Sequence, residues 1–450
     1  MRSDWAKSYG QDRLPRYTSY PTAPHFSPSI TEAHYANWLA ALSASQPTSL
    51  YVHVPFCRAM CWYCGCHTSL TKRDEPIAIY TAALRREAKI VAQTIGHRQP
   101  ISHIAFGGGT PTIMSPQSFI DLMGALHFSY AVHPDAEIAV EIDPRTLTAD
   151  MTEALGQCGV NRASLGIQSF DPAVQRAINR LQSFEQTAAA VQSLRDAGVG
   201  RINFDLLYGL PLQTVDSCLD TVAKCIALRP DRLSVFGYAH IPSFKKHQRK
   251  IADDTLPDSP ERHLQSEAIA EALIDAGYVR IGLDHFALPE DNLAIAQQAG
   301  RLHRNFQGYT DDSANILIGL GASAIGRMPD GFVQNAVPVR DYLARIAEGR
   351  LSTVKGYLLT EDDRFRADLI ERVMCDMAVD LPQVSHLHGK DPHSAIIDRA
   401  RIDRLVADGA VMLLDDRLSV SSGAEFLVRS VASAFDAHLA RSTAVHSRAV

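Results

Sequence analysis

The chain has 450 residues, of which 46% are hydrophobic and 21% are charged, and its formal net charge is −6. This composition predicts a protein with a large buried core and two or three domains. The mildly acidic balance argues against a nucleic-acid partner, and no segment approaches the roughly 20 apolar residues that span a bilayer. The first twenty residues are charged and lack an apolar run, so we expect no secretory signal and a cytoplasmic location.

Six short apolar segments recur along the first half of the chain, and helical patterns follow several of them. The predicted strands are residues 50–54, 104–106, 138–142, 163–167, 202–207 and 233–238. The predicted helices between them are residues 77–95, 116–126, 184–197 and 215–228. Strands that alternate with amphipathic helices indicate βα units around a parallel sheet. We predict an α/β fold, an incomplete (β/α)6 barrel of the TIM type.

Polar residues and glycines cluster directly after these strands. Examples are residues 107–111, Glu141, Gln168 and Asp205. In βα barrels the carboxyl ends of the strands form the active face. The pattern therefore predicts one functional site that draws residues from all six strands.

The rest of the chain departs from this repeat. A polar, basic segment at 243–262 ends it, and a helix at 264–276 and a strand at 278–283 follow. We predict three domains: an N-terminal extension over the active site (1–45), the barrel (46–336) and a mostly helical C-terminal domain (337–450). That last domain has a predicted hairpin, 411–414 and 418–420, and a helix at 424–439, which together resemble a winged helix. The acidic balance disfavours DNA binding by it.

Four of the eight cysteines lie within ten residues, at Cys57, Cys61, Cys64 and Cys66. Dense cysteines in a cytosolic chain indicate a metal site rather than disulfides. The first three can hold one face of a [4Fe–4S] cluster, which normally takes four cysteines, so one iron is left open for another ligand. The alternative is a zinc site, which would usually need a second cysteine pair or histidines.

The CxxxCxxC spacing resembles that of the radical S-adenosylmethionine (SAM) enzymes. The resemblance implies that SAM chelates the open iron through its amino and carboxylate groups. It also implies that an electron from the cluster splits SAM to a 5′-deoxyadenosyl radical. The glycine-rich turn after the second strand would let backbone approach the SAM amino group, and Glu141 and Asp205 suit the ribose hydroxyls.

Eight separated segments make the resemblance more specific, because they look like the oxygen-independent coproporphyrinogen III oxidases. They are residues 15–21, 51–57, 64–66, 107–112, 208–214, 238–240, 284–287 and 302–309. The resemblance implies oxidative decarboxylation of two propionates of coproporphyrinogen III to vinyl groups, which gives protoporphyrinogen IX. It further implies a [4Fe–4S] cluster and two SAM molecules.

The family pattern assigns the SAM contacts to particular residues of this sequence. The first SAM would be held by Tyr51, Gly108, Glu141 and Ile325. The second would contact Tyr63, Gly109, Thr110, Gln168, Arg180, Asp205 and Ala239. Cys66 accompanies the three ligands in the family without binding the cluster, and we expect its side chain to face away from them. No residue is assigned as a general acid or base.

The substrate, a porphyrinogen with four propionates, calls for cationic side chains. Candidates are Lys245, Lys246, Arg249 and Lys250, or the pair His303 and Arg304. We expect a low-potential electron donor such as flavodoxin or ferredoxin, and a monomer.

Two other functions remain open. One is a haem-binding protein with a vestigial SAM site, which would use a histidine such as His53 or His240. The other is a different tetrapyrrole-directed radical enzyme, such as a ring-opening methyltransferase. Cys66 and residues 16–20 argue against the first.

Overall fold

The computed structural model describes residue 5, residues 8–10 and residues 12–439. The strands are β1 (Thr48–Val54), β2 (Phe56–Cys57), β3 (Ser69–Leu70), β4 (Pro100–Gly108), β5 (Ala131–Ile142), β6 (Arg162–Gln168), β7 (Arg201–Tyr208), β8 (Arg232–Gly237), β9 (Val279–Ile281), β10 (His285–Ala287), β11 (His303–Asn305), β12 (Gly308–Thr310), β13 (Ile316–Leu320), β14 (Ile325–Met328), β15 (Gly331–Asn335), β16 (Thr353–Leu358), β17 (Ala378–Asp380), β18 (Val411–Leu414) and β19 (Arg417–Val420). The helices are α1 (Glu32–Ala40), α2 (Glu75–Ile95), α3 (Pro116–Ser129), α4 (Ala149–Gln157), α5 (Pro172–Ala177), α6 (Phe184–Asp196), α7 (Val215–Ala227), α8 (Ser259–Asp275), α9 (Asn292–Gln298), α10 (Val339–Ala347), α11 (Glu361–Asp376), α12 (Leu381–Leu387), α13 (Arg399–Ala407) and α14 (Val428–Ala432).

A twelve-stranded sheet dominates the fold, in the order β16-β15-β14-β13-β1-β4-β5-β6-β7-β8-β10-β9. Neighbouring strands run parallel from β13 through β1 and β4 to β8, and antiparallel beyond both ends of that stretch. The six strands predicted from the sequence are β1 and β4 to β8, and helices lie between them in the chain. The prediction of an α/β fold with a large parallel sheet is confirmed, and the closure of that sheet into an incomplete (β/α)6 barrel stays a prediction.

Helix boundaries follow local capping signals. Ser115 accepts a hydrogen bond from the Ser118 backbone at the start of α3, and Ser183 begins α6 with a reciprocal bond to Gln186. Helix α2 ends at Gly96, whose φ of 83° suits glycine. The four helices predicted in this region therefore lie within one or two residues of the observed ones, except that α3 runs three residues further.

Along the central strands, buried apolar side chains alternate with polar side chains that face the cavity, so the core and the active face lie on opposite sides of the sheet. In β7 the side chains of Ile202, Phe204 and Leu206 are buried, whereas Asn203 and Asp205 between them line a cavity on the other face. Because successive side chains of a strand point to opposite faces, one face packs on the helices and the other stays polar. The same pattern holds in β5, β6 and β8, so the sheet curves around one cavity.

The C-terminal part contains helices α11 to α14 and a small antiparallel sheet in the order β17-β19-β18. The predicted hairpin is β18 and β19, as in a winged helix. The predicted helix at 424–439 is wrong: a 3-10 turn (Glu425–Leu427), the short α14 and a second 3-10 turn (Ser433–Phe435) replace it. Residues 426–435 are buried throughout, so this segment lacks the polar face of a long surface helix.

Aromatic residues of the N-terminal extension pack into this C-terminal core. Trp5, Tyr9, Tyr17 and Tyr20 join the same buried cluster as α11 and α14. The Tyr17 hydroxyl donates to Asp436 at 3.0 Å. Farther along, α1 packs on the main core, and β16 extends the main sheet beyond the predicted limit at residue 336. The three domain limits stay predictions. None of the helices among the described residues combines the length and the apolar character that crossing a membrane requires.

Candidate active site

The polar face of the curved sheet lines a cavity of about 780 Å³, which we call the catalytic cavity. Every residue that the sequence analysis assigned to the cluster or to SAM lines it, except Ile325. Ile325 begins β14, and its carbonyl lies against Gly319 in β13, outside the lining. The assignments came from strand ends far apart in the sequence, and the topology brings them together at one edge of the sheet.

The cysteine loop (residues 57–66) forms one wall of this cavity. Its backbone is fixed at several points: Trp62 N–H donates to the Ile178 carbonyl at 2.9 Å, and the Asn179 amide donates to the Met60 carbonyl at 2.8 Å. The Cys64 N–H closes a turn on the Cys61 carbonyl at 3.2 Å. All three predicted ligands line the cavity, and in the described residues no three His, Cys, Asp or Glu side chains gather around a single ion position.

The thiols of this loop differ in acidity. A hydrogen bond from the Cys66 thiol lowers the pKa of Cys64 to about 6, while burial raises the pKa of Cys57 to about 11. Cys66 is exposed and lines the same cavity, and the orientation of its side chain relative to the cluster stays a prediction. Lys245 donates to the Cys66 carbonyl at 2.9 Å and holds that end of the loop.

Two arginines flank Cys61, and the sequence analysis found only one of them. Arg145 and Arg180 each place a guanidinium nitrogen 3.6 Å from the Cys61 sulfur. Asp143 pairs with Arg145 at 2.6 Å and with Arg180 at 3.5 Å. Although burial raises the pKa of Asp143, these two arginines hold it below its ordinary value. The signal for Arg145 and Asp143 was their position directly after β5.

The glycine-rich turn is needed for close backbone packing. A Cβ on Gly107 would lie 2.6 Å from a Glu141 oxygen, and one on Gly109 would lie 2.5 Å from the Phe56 carbonyl oxygen. Gly108 has φ +112° and would press a Cβ to within 2.5 Å of the His53 ring. The glycines therefore bring the end of β4 against the strand that leads into the cysteine loop.

Glu141 and Asp205 are the two carboxylates predicted for SAM hydroxyls. Glu141 accepts a hydrogen bond from the Gly108 N–H at 3.0 Å, and burial raises its pKa to about 7. Asp205 accepts from the Ser164 hydroxyl at 2.9 Å and from the Asn203 amide at 3.0 Å, and burial raises its pKa as well. Each keeps acceptor capacity toward the cavity.

Gln168 lies in a bulge at the end of β6, and Arg180 approaches it from the segment after α5. Gln168 has φ +68°, and the β6–β7 register shifts between Gly166 and Gln168. Arg180 reaches back to donate to the Gly166 carbonyl at 2.6 Å. The irregularity turns Gln168 into the cavity, as bulges near active sites often do.

Buried ion pairs form the floor of the cavity, which the sequence analysis missed. Arg162 contacts Glu137 at 3.0 Å and Asp291 at 3.4 Å, and Arg232 contacts Asp291 at 2.6 Å. Arg162, Glu137 and Arg232 all line the cavity. A lone arginine in a strand, such as Arg162, gives no sequence signal that its partner Asp291 lies 129 residues away.

The basic segment at 245–250 lies on the outside of the cysteine loop. His247 contacts the Cys64 carbonyl at 2.7 Å, and Gln248 donates to the Tyr63 carbonyl at 3.0 Å. The Lys250 ammonium lies over the Trp62 ring at 5.4 Å. This segment braces the cluster loop, and its role toward the propionates stays a prediction.

Both histidines named for the haem-binding alternative are engaged at both ring nitrogens. His53 lies 3.1 Å from the Tyr51 hydroxyl and 3.1 Å from the His67 carbonyl, and burial lowers its pKa to about 4. His240 lies 2.8 Å from both the Tyr238 hydroxyl and Asp253. Neither ring offers a nitrogen for haem iron in this conformation, which disfavours that alternative.

Comparison with known proteins agrees with this geometry. The radical SAM superfamily model matches residues 51–225. The chain is 60% identical to an oxygen-independent coproporphyrinogen III oxidase of Bradyrhizobium diazoefficiens over 450 residues, all of both chains. It is 45% identical to the protein of that description from Paracoccus denitrificans over 382 residues, 85% of each chain.

A solved structure agrees over nearly the whole chain. It is the coproporphyrinogen III oxidase of Escherichia coli, described as a radical SAM enzyme, and it superposes with a TM-score of 0.89 at 36% identity. The match covers 95% of this chain and 100% of that one. The present chain therefore belongs to the oxygen-independent coproporphyrinogen III oxidase family of radical SAM enzymes.

Proposed function

We propose that this protein converts two propionate side chains of coproporphyrinogen III to vinyl groups without oxygen and so forms protoporphyrinogen IX. Each propionate loses one hydrogen atom to the 5′-deoxyadenosyl radical, one electron to an electron acceptor, and CO2. The observation that carries the proposal is the convergence of the cysteine loop and the proposed SAM contacts on one cavity, in a chain 60% identical to a named oxidase.

Cys57, Cys61 and Cys64 would hold a [4Fe–4S] cluster. Their chemistry fits, because thiolates are the usual ligands of such clusters, and three of them on one loop leave one iron for SAM. When bound, the cluster and SAM supply the radical that removes a hydrogen atom from the propionate β-carbon. Arg145 and Arg180 would stabilise the Cys61 thiolate by charge-assisted hydrogen bonds.

The remaining polar residues would position SAM. Glu141 and Asp205 would accept hydrogen bonds from ribose hydroxyls, and Arg180 would bind a SAM carboxylate. Two SAM molecules are part of the proposal, with Tyr51, Gly108 and Glu141 at the first. The second would use Tyr63, Gly109, Thr110, Gln168, Arg180, Asp205 and Ala239.

The residues of this chain would contribute to catalysis by protecting the radical from solvent and by positioning it toward the substrate, and not by proton transfer. Leu14, Pro15 and Arg16 of the N-terminal extension line the catalytic cavity and would cover a bound substrate. Their cover would exclude water and oxygen from a reactive radical, which is a main task of proteins that carry such cofactors.

Electron delivery by flavodoxin or ferredoxin remains part of the proposal. Lys246 and Arg249 are exposed on the segment that braces the cysteine loop, so they present positive charge near the cluster position. An acidic carrier would be attracted there. A monomeric state and a cytoplasmic location stay predictions.

The test is an anaerobic assay of the reconstituted protein with dithionite, SAM and coproporphyrinogen III. We expect protoporphyrinogen IX and 5′-deoxyadenosine by mass spectrometry, and neither from Cys61→Ala. A methylated or ring-opened product would instead indicate a different tetrapyrrole-directed radical enzyme. Stoichiometric haem binding without turnover would indicate the haem-binding alternative, and either result would overturn the proposal.

A further inference from the structure

A second cavity of about 570 Å³ adjoins the catalytic cavity. The two share part of their lining, including Arg16, Gly237, Tyr238 and Ala239. The second cavity lies between the end of β8, the N-terminal extension and the C-terminal core. The two cavities are therefore adjacent, separated only by side chains that line both.

Arginine dominates this second cavity, which we call the arginine cavity. Its lining includes Arg13, Arg16, Arg262, Arg280, Arg304 and Arg429. They come from the N-terminal extension, the middle of the chain and the C-terminal core. No sequence motif links them, so the cluster is visible only in the folded chain.

The acidic residues of the lining do not balance this charge. They are Asp253, Asp258 and Asp284, so six arginines face three carboxylates. Asp253 contacts His240 at 2.8 Å, and Asp258 accepts from the Glu261 N–H at the start of α8. Asp284 contacts His285 at 2.8 Å. Arg280 also pairs with Glu267 at 4.0 Å and with Glu425 at 3.8 Å, so the positive charge that an anion would meet comes chiefly from the exposed Arg13 and Arg16 and from Arg304.

Arg304 has hydrogen-bond donors left over. It is only 8% exposed, and its guanidinium stacks on Tyr309 at 4.4 Å. Its Nη2 donates to the Arg16 carbonyl at 3.4 Å, and its Nη1 lies 3.9 Å from Asp284, but Nε and Nη1 find no hydrogen-bond acceptor within the described chain. A buried charged donor without an acceptor is costly, so this guanidinium favours a ligand with carboxylate oxygens.

Arg429 lies close to other positive charges in the same cavity. It donates to the carbonyls of Leu14 and Pro15. Burial, together with the charges of Arg16 and Arg304, lowers its pKa to about 10. An anion bound among these side chains would reduce the repulsion of Arg429 by Arg16 and Arg304, which contributes to its lowered pKa.

We propose that the arginine cavity binds the carboxylates of those substrate propionates that are not at the reacting position. This inference rests on the proposed function. Guanidinium groups match carboxylates with two parallel hydrogen bonds, and six of them around one cavity suit several carboxylates at once. The shared lining lets one propionate reach the catalytic cavity while others stay in the arginine cavity.

The proposal has a consequence for turnover. Each decarboxylation removes one carboxylate, so the four of the substrate become two in the product. Affinity for the arginine cavity then falls with each step, which would retain the half-reacted molecule and release the finished one. Arg304, one of the two earlier candidates from the sequence, belongs to this site.

The experiment measures binding to the cluster-loaded full chain under anaerobic conditions. The probes are coproporphyrin III, which is fluorescent and carries four carboxylates, and its tetramethyl ester, which carries none. The wild type should prefer the acid over the ester by at least about 100-fold, because more than one arginine contact is lost, each worth about tenfold.

Variants test whether the arginines bind the carboxylates directly or only support the fold. Arg304→Gln and the exposed Arg16→Gln should each weaken acid binding about tenfold and leave ester binding unchanged, and Arg304→Lys should recover part of the loss. Arg340→Gln is the matched control, since that side chain is 92% exposed and lies outside both linings. A merely structural defect would weaken both probes equally.

Two results would overturn the proposal. One is equal affinity of the wild type for acid and ester. The other is unchanged acid preference in Arg304→Gln and Arg16→Gln. If the wild type prefers the acid, and the variants lose that preference, yet coproporphyrinogen III is not decarboxylated, then the arginine cavity stands as a tetracarboxylate site and the proposed reaction falls.

Discussion

Gly108→Ala should damage both the fold and the SAM site. Gly108 ends β4 at φ +112°, and its N–H donates to Glu141 at 3.0 Å. The added methyl group would meet the His53 ring within 2.5 Å. That ring cannot move freely, because Tyr51 and the His67 carbonyl hold its two nitrogens.

The size of the effect follows from two costs. A backbone conformation that suits only glycine costs an alanine about 1–3 kcal/mol. Overpacking against a fixed ring costs about another 1–3 kcal/mol. We therefore expect the free energy of unfolding to fall by about 2–6 kcal/mol, a large part of the 5–15 kcal/mol that typical domains possess.

The assay is denaturant unfolding of the cluster-free protein, followed by SAM titration of the reconstituted variant. Gly124→Ala is the matched control: it lies inside α3, and its added Cβ meets nothing within 4 Å. The control should gain up to about 1 kcal/mol from helix propensity. If Gly108→Ala unfolds like the wild type and binds SAM equally well, the close packing of the glycine turn is not what the site requires.

Three further predictions concern the cluster, pH and the C-terminal core. Cys61→Ala should lose bound iron and sulfide after reconstitution, whereas the buried Cys225→Ala should keep them; equal iron in both would contradict the ligand assignment. SAM affinity should rise as pH increases through about 7, because a protonated Glu141 cannot accept hydrogen bonds from the ribose with both of its oxygens. In a binding titration over this pH range, Glu141→Gln should remove most of the pH dependence. Phe365→Ala should lower the free energy of unfolding by about 3–5 kcal/mol in denaturant, since Phe365 is fully buried in the C-terminal core; a change under about 1 kcal/mol would refute this.

The central fold was readable from the sequence because its signals are local. Apolar runs and capped helices such as α6 repeat along 50–240, and each predicted strand overlaps an observed one. The strands that extend the sheet, β13 to β16, carry no such rhythm and depend on pairing with distant partners. The predicted helix at 424–439 failed because full burial removes the periodicity on which helix prediction depends.

The same distinction between local signals and long-range contacts applies to the candidate active site. The cysteine loop and the residues directly after strands could be named from spacing and family resemblance, and they line one cavity. The contacts between distant segments could not. Arg145 beside Cys61, Lys245 on the Cys66 carbonyl and the arginine cavity all arise from packing between segments far apart in the chain.

The N-terminal extension depends on the C-terminal core for its position. Arg429 donates to the carbonyls of Leu14 and Pro15, and the aromatic residues of the extension pack in a core built from residues 365–435. Arg429 lies 415 residues after Leu14 in the chain, so this wall of the catalytic cavity forms only when both regions have folded together. Damage to the C-terminal core would therefore also displace a wall of the catalytic cavity.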